Sequence, residues 1–533
     1  MSKQTESVAH ENQPIPATLA EVARHHARNR PEKTALLYEG RCTSFADLDR
    51  YASQVGNGLI REGTRGRKQI ALLDTNSDHL YEVLFGCAKV NAVFCPVNWR
   101  LAAPEVAYII NDSEAEILFV GECFIELVEK VRDKLTTVKK IITLSGKHAV
   151  WENYENWRNA QDVADPMCEV APEDIAIQMY TSGTTGHPKG VQLPNSALLT
   201  SAADDSEDMA WDRWTPQDVS MLAMPCFHIG GLRWGLMGLI PGAMNVILTD
   251  FDPVRVLTAI PEHKVSKIFL VPAALQFMLR MPQSRDMDYS SLRYIVYGAS
   301  PIPLPLLEEA MAVFKCDFVQ LYGMTETCAQ VICLSPRDHM AKDQKRLKAA
   351  GKPLPFAEVR IVDANGITVQ QGQVGEICVK SPCNMSGYWK LPQETDRTLV
   401  DGWIHTGDAG YADEDGFIYI HDRIKDMIIS GGENIYPAEV ESALFGFPVI
   451  ADVAVIGVPD EKWGEAVKAI VVLKKGQTAS ADEIIAYAKE RIASYKVPKS
   501  IDFVEALPRT ATGKLLKKEI RAPYWKGRER MVN

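Results

Sequence analysis

The sequence predicts an α/β protein in which a large, multi-layered N-terminal domain with parallel-rich sheets precedes a small α+β C-terminal domain. Three observations carry this expectation. At 533 residues the chain exceeds what one hydrophobic core usually serves, so a large body and at least one smaller domain are expected. Short β-rich runs alternate with helix-like segments through most of its length, the signature of largely parallel sheets. The pattern then changes after Asp422-Arg423-Ile424-Lys425-Asp426, which divides residues 1–424 from residues 425–533.

From the N-terminus, Met1 to Pro16 is polar and reads as loose. Ile175 to Tyr180 reads as a strand feeding a glycine loop. Lys267 to Val271 is another strand, and Pro272 suits the first turn of a helix through Leu275, Met278 and Leu279. Strand-like Ser291 to Tyr297 precedes Gly298-Ala299-Ser300, and Asp317 to Leu321 precedes Tyr322-Gly323-Met324-Thr325-Glu326. Polar motifs therefore fall where strands end, which is where open α/β sheets place their ligands. Beyond Lys425 come a turn at Gly431-Gly432, strands at Asp452 to Ile456 and Ala469 to Leu473, and a helix with Ile484, Ile485, Ala488 and Ile492 on one face.

Composition excludes several classes. Hydrophobic content of 46% and charged content of 24% suit a globular enzyme, and a formal net charge of -11 argues against a nucleic-acid partner. The 11 cysteines are scattered without a C-x-x-C pair or zinc-like spacing, so reduced thiols and a cytoplasmic location are expected. The N-terminus lacks the basic start and apolar run of a signal peptide. The most apolar stretch, Trp234 to Leu248, is broken by Gly235, Gly238, Pro241 and Gly242, so no membrane span is expected, although transient contact with a membrane surface stays open. A homodimer is compatible with this composition.

The densest chemistry lies in Thr181-Ser182-Gly183-Thr184-Thr185-Gly186-His187-Pro188-Lys189-Gly190. Glycines let backbone N–H groups approach an anion, hydroxyls add donors, and Lys189 supplies a mobile positive charge. This is not the Walker loop, because Lys189 follows proline and precedes glycine. Tyr322-Gly323-Met324-Thr325-Glu326 offers a ring for a base, a hydroxyl for a phosphate and a carboxylate for a hard cation such as Mg²⁺. Asp408 follows a turn in Trp403 to Asp408, and Arg423 follows a strand-like run; a carboxylate can accept both ribose hydroxyls and an arginine can add donors. Lys514 follows Gly513 near the C-terminus, where an ammonium could bridge a carboxylate and a phosphate. Each feature taken singly also suits a structural role: a surface loop, a helix cap, an ion pair or a solvated lysine.

Together and in order, these stretches resemble the adenylate-forming superfamily, which includes acyl-CoA synthetases, luciferases and peptide-synthetase adenylation domains. Thr43 to Leu48 and Ala92 to Asn98 also fit its opening, with Asn91 where a glycine is usual. The resemblance covers nearly the whole chain and implies the adenylate-forming fold with a mobile C-terminal domain. It implies that ATP and a carboxylic acid form an acyl-adenylate and pyrophosphate, and that a thiol then displaces AMP. Thr181 to Lys189 would hold the β- and γ-phosphates. Gly298, Ala299 and Ser300, with Gln320, Leu321, Tyr322, Gly323, Met324 and Thr325, would frame adenine and the acyl carbonyl. Glu326 would hold Mg²⁺, Asp408 and Arg423 the ribose, and Lys514 would serve adenylation. Lys425 matches the hinge, and Gly431, Gly432 and Glu433 would line a thiol tunnel. His228 matches an aromatic gate, with a core histidine as its plain alternative, and Gly231, Leu232, Tyr297, Gly298 and Gly323 would border the acyl group.

Coenzyme A is the expected thiol, because no carrier segment follows Lys514 and Gly431 to Pro437 looks like the acyl-CoA synthetase version of that turn. Resemblance to fatty-acyl and steroid-side-chain ligases favours a medium- or long-chain fatty acid or a bulky alicyclic acid, with an aryl acid second. Arg233 is the only charge between His228 and Pro241, either pairing with a polar group or pointing to solvent. A non-catalytic nucleotide- or acyl-binding regulator is the alternative from another class.

Overall fold

The computed structural model describes residues 16–526 apart from 65, 182–187, 205, 342, 424–425, 431–432 and 510–514, with backbone only for Asp422, Arg423 and Asn434. The expected domain boundary at 424/425 and the hinge Lys425 thus lie outside the described residues, as does most of the loose N-terminus.

A nine-stranded sheet runs in the order Lys352–Pro353, Ile332–Leu334, Asp317–Tyr322, Tyr294–Gly298, Lys267–Leu270, Val219–Leu222, Met244–Ile247, Thr34–Tyr38, Arg41–Ser44. Its centre is parallel from Asp317–Tyr322 to Thr34–Tyr38, with antiparallel pairs at the two edges. An eight-stranded sheet follows the order Gly387–Tyr388, Lys189–Pro194, Ile175–Thr181, Val93–Pro96, Gln69–Leu73, Ile117–Val120, Lys140–Thr143, Glu152–Asn153. The strand expected from Ser291 begins at Tyr294, because Ser291 and Leu292 still belong to the preceding turn.

Helix Asp78–Lys89 is buried at every residue and helix Ile229–Leu239 at every residue but Gly230. Helix Ile229–Leu239 accordingly has one charge, Arg233, whereas the buried Glu82 and Lys89 of Asp78–Lys89 are paired with Arg158 and Asp165. Gly235 is required by the packing, since a Cβ there would lie 1.7 Å from the Tyr81 hydroxyl on the other helix. The apolar stretch from Trp234 to Leu248 thus becomes a helix end, a turn at Gly242 (φ +89°) and the strand Met244–Ile247. No helix among the described residues is long and apolar enough to cross a membrane. Asn91 sits at φ 56° and donates to Asp174 Oδ2 at 2.9 Å, so this position needs a left-handed backbone that glycine or asparagine supplies.

A smaller antiparallel sheet joins Glu358–Val362, Gly375–Lys380, Trp403–Ala412 and Leu399–Val400, with Ile418–Arg423 also on Trp403–Ala412. Past Ile428 a separate core gathers Ile428, Ile435, Val440, Leu444, Val455 and Val467. Its sheet orders Glu433–Ile435, Ile428–Ser430, Gly464–Leu473 and Ile450–Asp460, and Ser500–Phe503 lies parallel to Gly464–Leu473. The helix Ala481–Lys489 starts at a Ser480–Glu483 capping box and buries Ile484 and Ala488. It stops before Ile492, which packs on the same core from the following turn.

Candidate active site

Two neighbouring strands of the nine-stranded sheet, Tyr294–Gly298 and Asp317–Tyr322, end side by side. Gly298 registers against Leu321 on parallel neighbours, and a Cβ on Gly298 would lie 2.3 Å from the Leu321 carbonyl. The next residue, Ala299, holds φ 68°, a left-handed conformation disfavoured for a residue with a Cβ. Such strain concentrates where a loop is shaped for a ligand. Gly323 is tighter still, since a Cβ there would meet the Ala329 carbonyl at 1.6 Å. That contact folds Met324 to Ala329 into a compact turn, closed by Met324 N–H on Thr327 Oγ1 at 3.0 Å.

The turn presents Glu326, whose carboxylate is 6% exposed and accepts from the Tyr388 hydroxyl at 2.8 Å. Burial and the adjacent Glu326 charge push the Tyr388 phenol well above its ordinary range, so it remains a donor. Tyr388 lies in a two-residue strand on Lys189–Pro194, the second strand of the hairpin that carries the glycine loop. In that hairpin Thr181 pairs with Lys189. The loop residues Ser182, Gly183, Thr184, Thr185 and Gly186 lie outside the described residues.

Lys189 departs from the expectation of a mobile charge. Its side chain is buried, its ammonium lies 2.5 Å from Glu394 Oε2, and the Tyr388 ring centroid is 5.0 Å away. The ammonium holds the Glu394 carboxyl below the usual carboxylate range. The hairpin base is anchored further by the Tyr180 hydroxyl on Asp112 Oδ2 at 2.6 Å and by Trp389 Nε1 on the Asp112 carbonyl at 2.8 Å.

Asp408 comes from the antiparallel sheet, is 6% exposed, and accepts from the Tyr322 hydroxyl at 2.6 Å. Arg423 stands opposite Asp408 on the neighbouring strand. The structure therefore brings Gly298, Ala299, Leu321, Tyr322, Gly323, Glu326 and Asp408 to one locus, with Lys189 and Tyr388 behind Glu326. Lys425, Gly431, Gly432 and Lys514 lie outside the described residues, and Glu433 is exposed in Glu433–Ile435.

Of the residues expected to border the acyl group, His228 is the N-cap residue of Ile229–Leu239, half-buried, with its ring 4.4 Å from that of Phe227. Gly231 allows the first turn to sit against the chain before it, since a Cβ would lie 2.3 Å from the Pro225 carbonyl. Leu232 is fully buried in the same helix. Arg233 does not point to solvent: it is buried and donates to the Thr200 carbonyl, and its charge faces buried Asp212. Tyr297 is buried under Gly298, its hydroxyl 3.0 Å from Gln320 Oε1 and 3.0 Å from His339 Nε2.

His339 Nδ1 lies 2.8 Å from the Ser335 carbonyl, so Nδ1 carries the proton, and Nε2 is an acceptor that competes with Gln320 Oε1 for the single Tyr297 hydroxyl proton. Burial lowers the His339 pKa to about 4. The unfolded chain therefore binds a proton between about pH 6.5 and 4 that the folded chain refuses, and stability falls as pH drops through that window. The expected slope from this residue reaches about 1.4 kcal/mol per pH unit. Urea unfolding at pH 7 and pH 5 should show a smaller drop for His339→Gln than for the native chain; an unchanged drop would remove His339 from the account.

Tyr388, Glu394 and Asp112 were not singled out by the sequence reading. Each makes its contact across a long separation, 62 residues for Tyr388 with Glu326 and 205 for Glu394 with Lys189, with no local pattern to mark it.

Comparison with known proteins agrees with this geometry. Residues 23–389 match the family described as AMP-binding enzyme, and residues 439–514 match the AMP-binding enzyme C-terminal domain. The chain is 40% identical over 97% of its length, and 98% of the relative's, to a fatty acid–[acyl-carrier-protein] ligase of Streptomyces coeruleorubidus. It is 38% identical to a feruloyl-CoA synthase of Amycolatopsis sp, covering 93% of this chain and 97% of that one. The structure of o-succinylbenzoate CoA synthetase from Bacillus subtilis with its acyl-adenylate superposes with a TM-score of 0.80 at 33% identity, covering 94% and 97% of the two chains. The chain belongs to the AMP-binding, adenylate-forming family, the AMP-forming acyl-CoA synthetases and related acid–thiol ligases.

Proposed function

We propose that the protein is an ATP-dependent acid:CoA ligase. The observation that carries the reading is the convergence of the Tyr322–Asp408 pair, the Glu326–Tyr388 pair and the Lys189 hairpin. In the first step the acid's carboxylate oxygen attacks the α-phosphorus of ATP, the bond to the β-phosphate oxygen breaks, and pyrophosphate leaves. In the second a thiolate sulfur attacks the acyl carbonyl carbon, the bond from that carbon to the AMP phosphate oxygen breaks, and AMP leaves.

Asp408, with Arg423 beside it in register, would hold the ribose, and the Gly298 to Ser300 and Gln320 to Thr325 segments would flank adenine and the reacting carbonyl. Thr181 to Lys189 would receive the departing pyrophosphate. Lys189 would do so from a fixed base, because Glu394 anchors its ammonium. Lys514 would bridge the acid and the α-phosphate during adenylation. The Thr325 and Glu326 side chains offer only oxygen donors, which suits Mg²⁺, and Tyr388 holds the Glu326 carboxylate in place. Bound there, Mg²⁺ would neutralise phosphate charge as the α–β bond breaks.

The favoured acid is a medium- or long-chain fatty acid or a bulky alicyclic one. Support comes from the apolar, buried helix after His228, whose one charge, Arg233, is engaged by Thr200. An aryl acid is the second reading, favoured by the similarity to a feruloyl-CoA synthase. For the thiol, the similarity to an acyl-carrier-protein ligase keeps a carrier phosphopantetheine as the alternative to CoA. AMP release and intact-mass detection of thioester, with a panel of acids and with CoA or a phosphopantetheinylated carrier protein, test all three points. Thioester only on the carrier would overturn the CoA assignment, and no AMP with any acid would overturn the ligase reading. Gly432→Leu should slow thioester formation about tenfold by overfilling the tunnel while leaving pyrophosphate exchange intact; equal loss of both would remove the tunnel role.

A further inference from the structure

The ribose-binding role proposed for Asp408 depends on a backbone irregularity that the motif holds only in part and that a residue outside it completes. Strand Gly375–Lys380 pairs with Trp403–Ala412 through Glu376 opposite Ala409 and Cys378 opposite His405. One residue, Ile377, therefore faces three: Thr406, Gly407 and Asp408. The extra residues form a bulge, with Gly407 at φ 69°, and a bulge beside a site re-aims the side chain that follows it. A bulge also removes backbone groups from the ladder, and these need other partners where water is excluded.

Two side chains supply those partners. The Thr406 hydroxyl donates to the Ile377 carbonyl at 2.7 Å and accepts the Asp408 N–H at 3.1 Å. Glu376 Oε1 accepts the Gly407 N–H at 2.9 Å, and its Oε2 lies 2.8 Å from His405 Nδ1. His405 thereby holds the carboxylate against the bulge from the other side. The composition of Glu376, Cys378 and His405 also suits a metal, but the Arg360 guanidinium close to Cys378 adds a positive charge that disfavours a cation there.

We propose that Glu376, oriented by His405, is a positioning residue that sets the Thr406–Gly407–Asp408 bulge and so aims the Asp408 carboxylate at the nucleotide ribose. The inference rests on the ribose role of Asp408. Without Glu376 the Gly407 N–H loses its acceptor, and Asp408 keeps only the Thr406 and Tyr322 contacts to set its direction. Glutamine keeps an acceptor oxygen for that N–H.

Acid-dependent ATP–pyrophosphate exchange, measured with ATP and with 2′,3′-dideoxy-ATP, tests this. With ATP, Glu376→Ala should raise KM about tenfold with a much smaller change in kcat, and Glu376→Gln should stay within about threefold of native. With dideoxy-ATP, which offers Asp408 no hydroxyl, Glu376→Ala should cost less than about threefold, as a double-mutant cycle requires of coupled partners. Should the native enzyme treat both nucleotides alike, the ribose role of Asp408 fails and this inference with it. Should the native enzyme discriminate while Glu376→Ala loses equally on both nucleotides, the positioning role alone is overturned. A lowered unfolding midpoint with native KM would overturn it too, since that is all a structural role would produce.

Discussion

Lys514→Ala is expected to depress acid-dependent pyrophosphate exchange by on the order of 10²–10³, the range seen when one preorganised donor to developing charge is removed. Two anions, the acid's carboxylate and the α-phosphate, must be brought together for adenylation, and a single ammonium between them offsets their repulsion. Thiolation has no such pair, because the acid is by then part of the adenylate. Thioester formation from ready-made acyl-adenylate should therefore survive the substitution far better than exchange does. Full exchange activity in the variant would remove Lys514 from the first step. Equal loss in both assays would indicate instead that the C-terminal domain no longer seats correctly.

Gly323→Ala should damage both the fold and the chemistry. A Cβ at this position meets the Ala329 carbonyl at 1.6 Å, and its next contacts are the Ala329 carbonyl carbon at 2.5 Å and the Gln330 nitrogen at 3.1 Å. All three are backbone, so no side chain can swing aside. Relief requires opening the turn from Met324 to Ala329, which carries Thr325 and Glu326. The expected destabilisation is about 3 kcal/mol. Pyrophosphate exchange should fall about 10²-fold, the scale of a displacement of roughly 1 Å among reacting groups. A native unfolding midpoint together with native exchange would show that the turn can open at little cost. Gly323 is not at positive φ, so the effect is one of space and not of backbone conformation.

The motif glycines illustrate what each level of description reaches. From the sequence, Gly298 and Gly323 read as loop residues near a ligand, and the strands ahead of them were legible because apolar runs bounded by turn residues have a local signature. The observed strands Tyr294–Gly298 and Asp317–Tyr322 end at the two motifs, and their parallel register brings the motifs together. Why those positions must be glycine was not legible, because the carbonyls they avoid are those of Leu321 and Ala329, on a neighbouring strand and across a tight turn. Lys189 gives the same lesson with charge. Its place in a phosphate-type loop is a matter of neighbours in sequence, but its fixed orientation comes from Glu394, 205 residues away.

By itself, then, the sequence determined the α/β class, the family and the order of its chemical motifs, since each is encoded in residues close together along the chain. The tertiary structure decided which groups share hydrogen bonds: Tyr322 with Asp408, Tyr388 with Glu326, Glu376 with the Gly407 bulge. Those partners lie far apart in sequence on different strands, turns or sheets, and only strand pairing and the packing of the sheets bring each carboxylate within 3 Å of its donor.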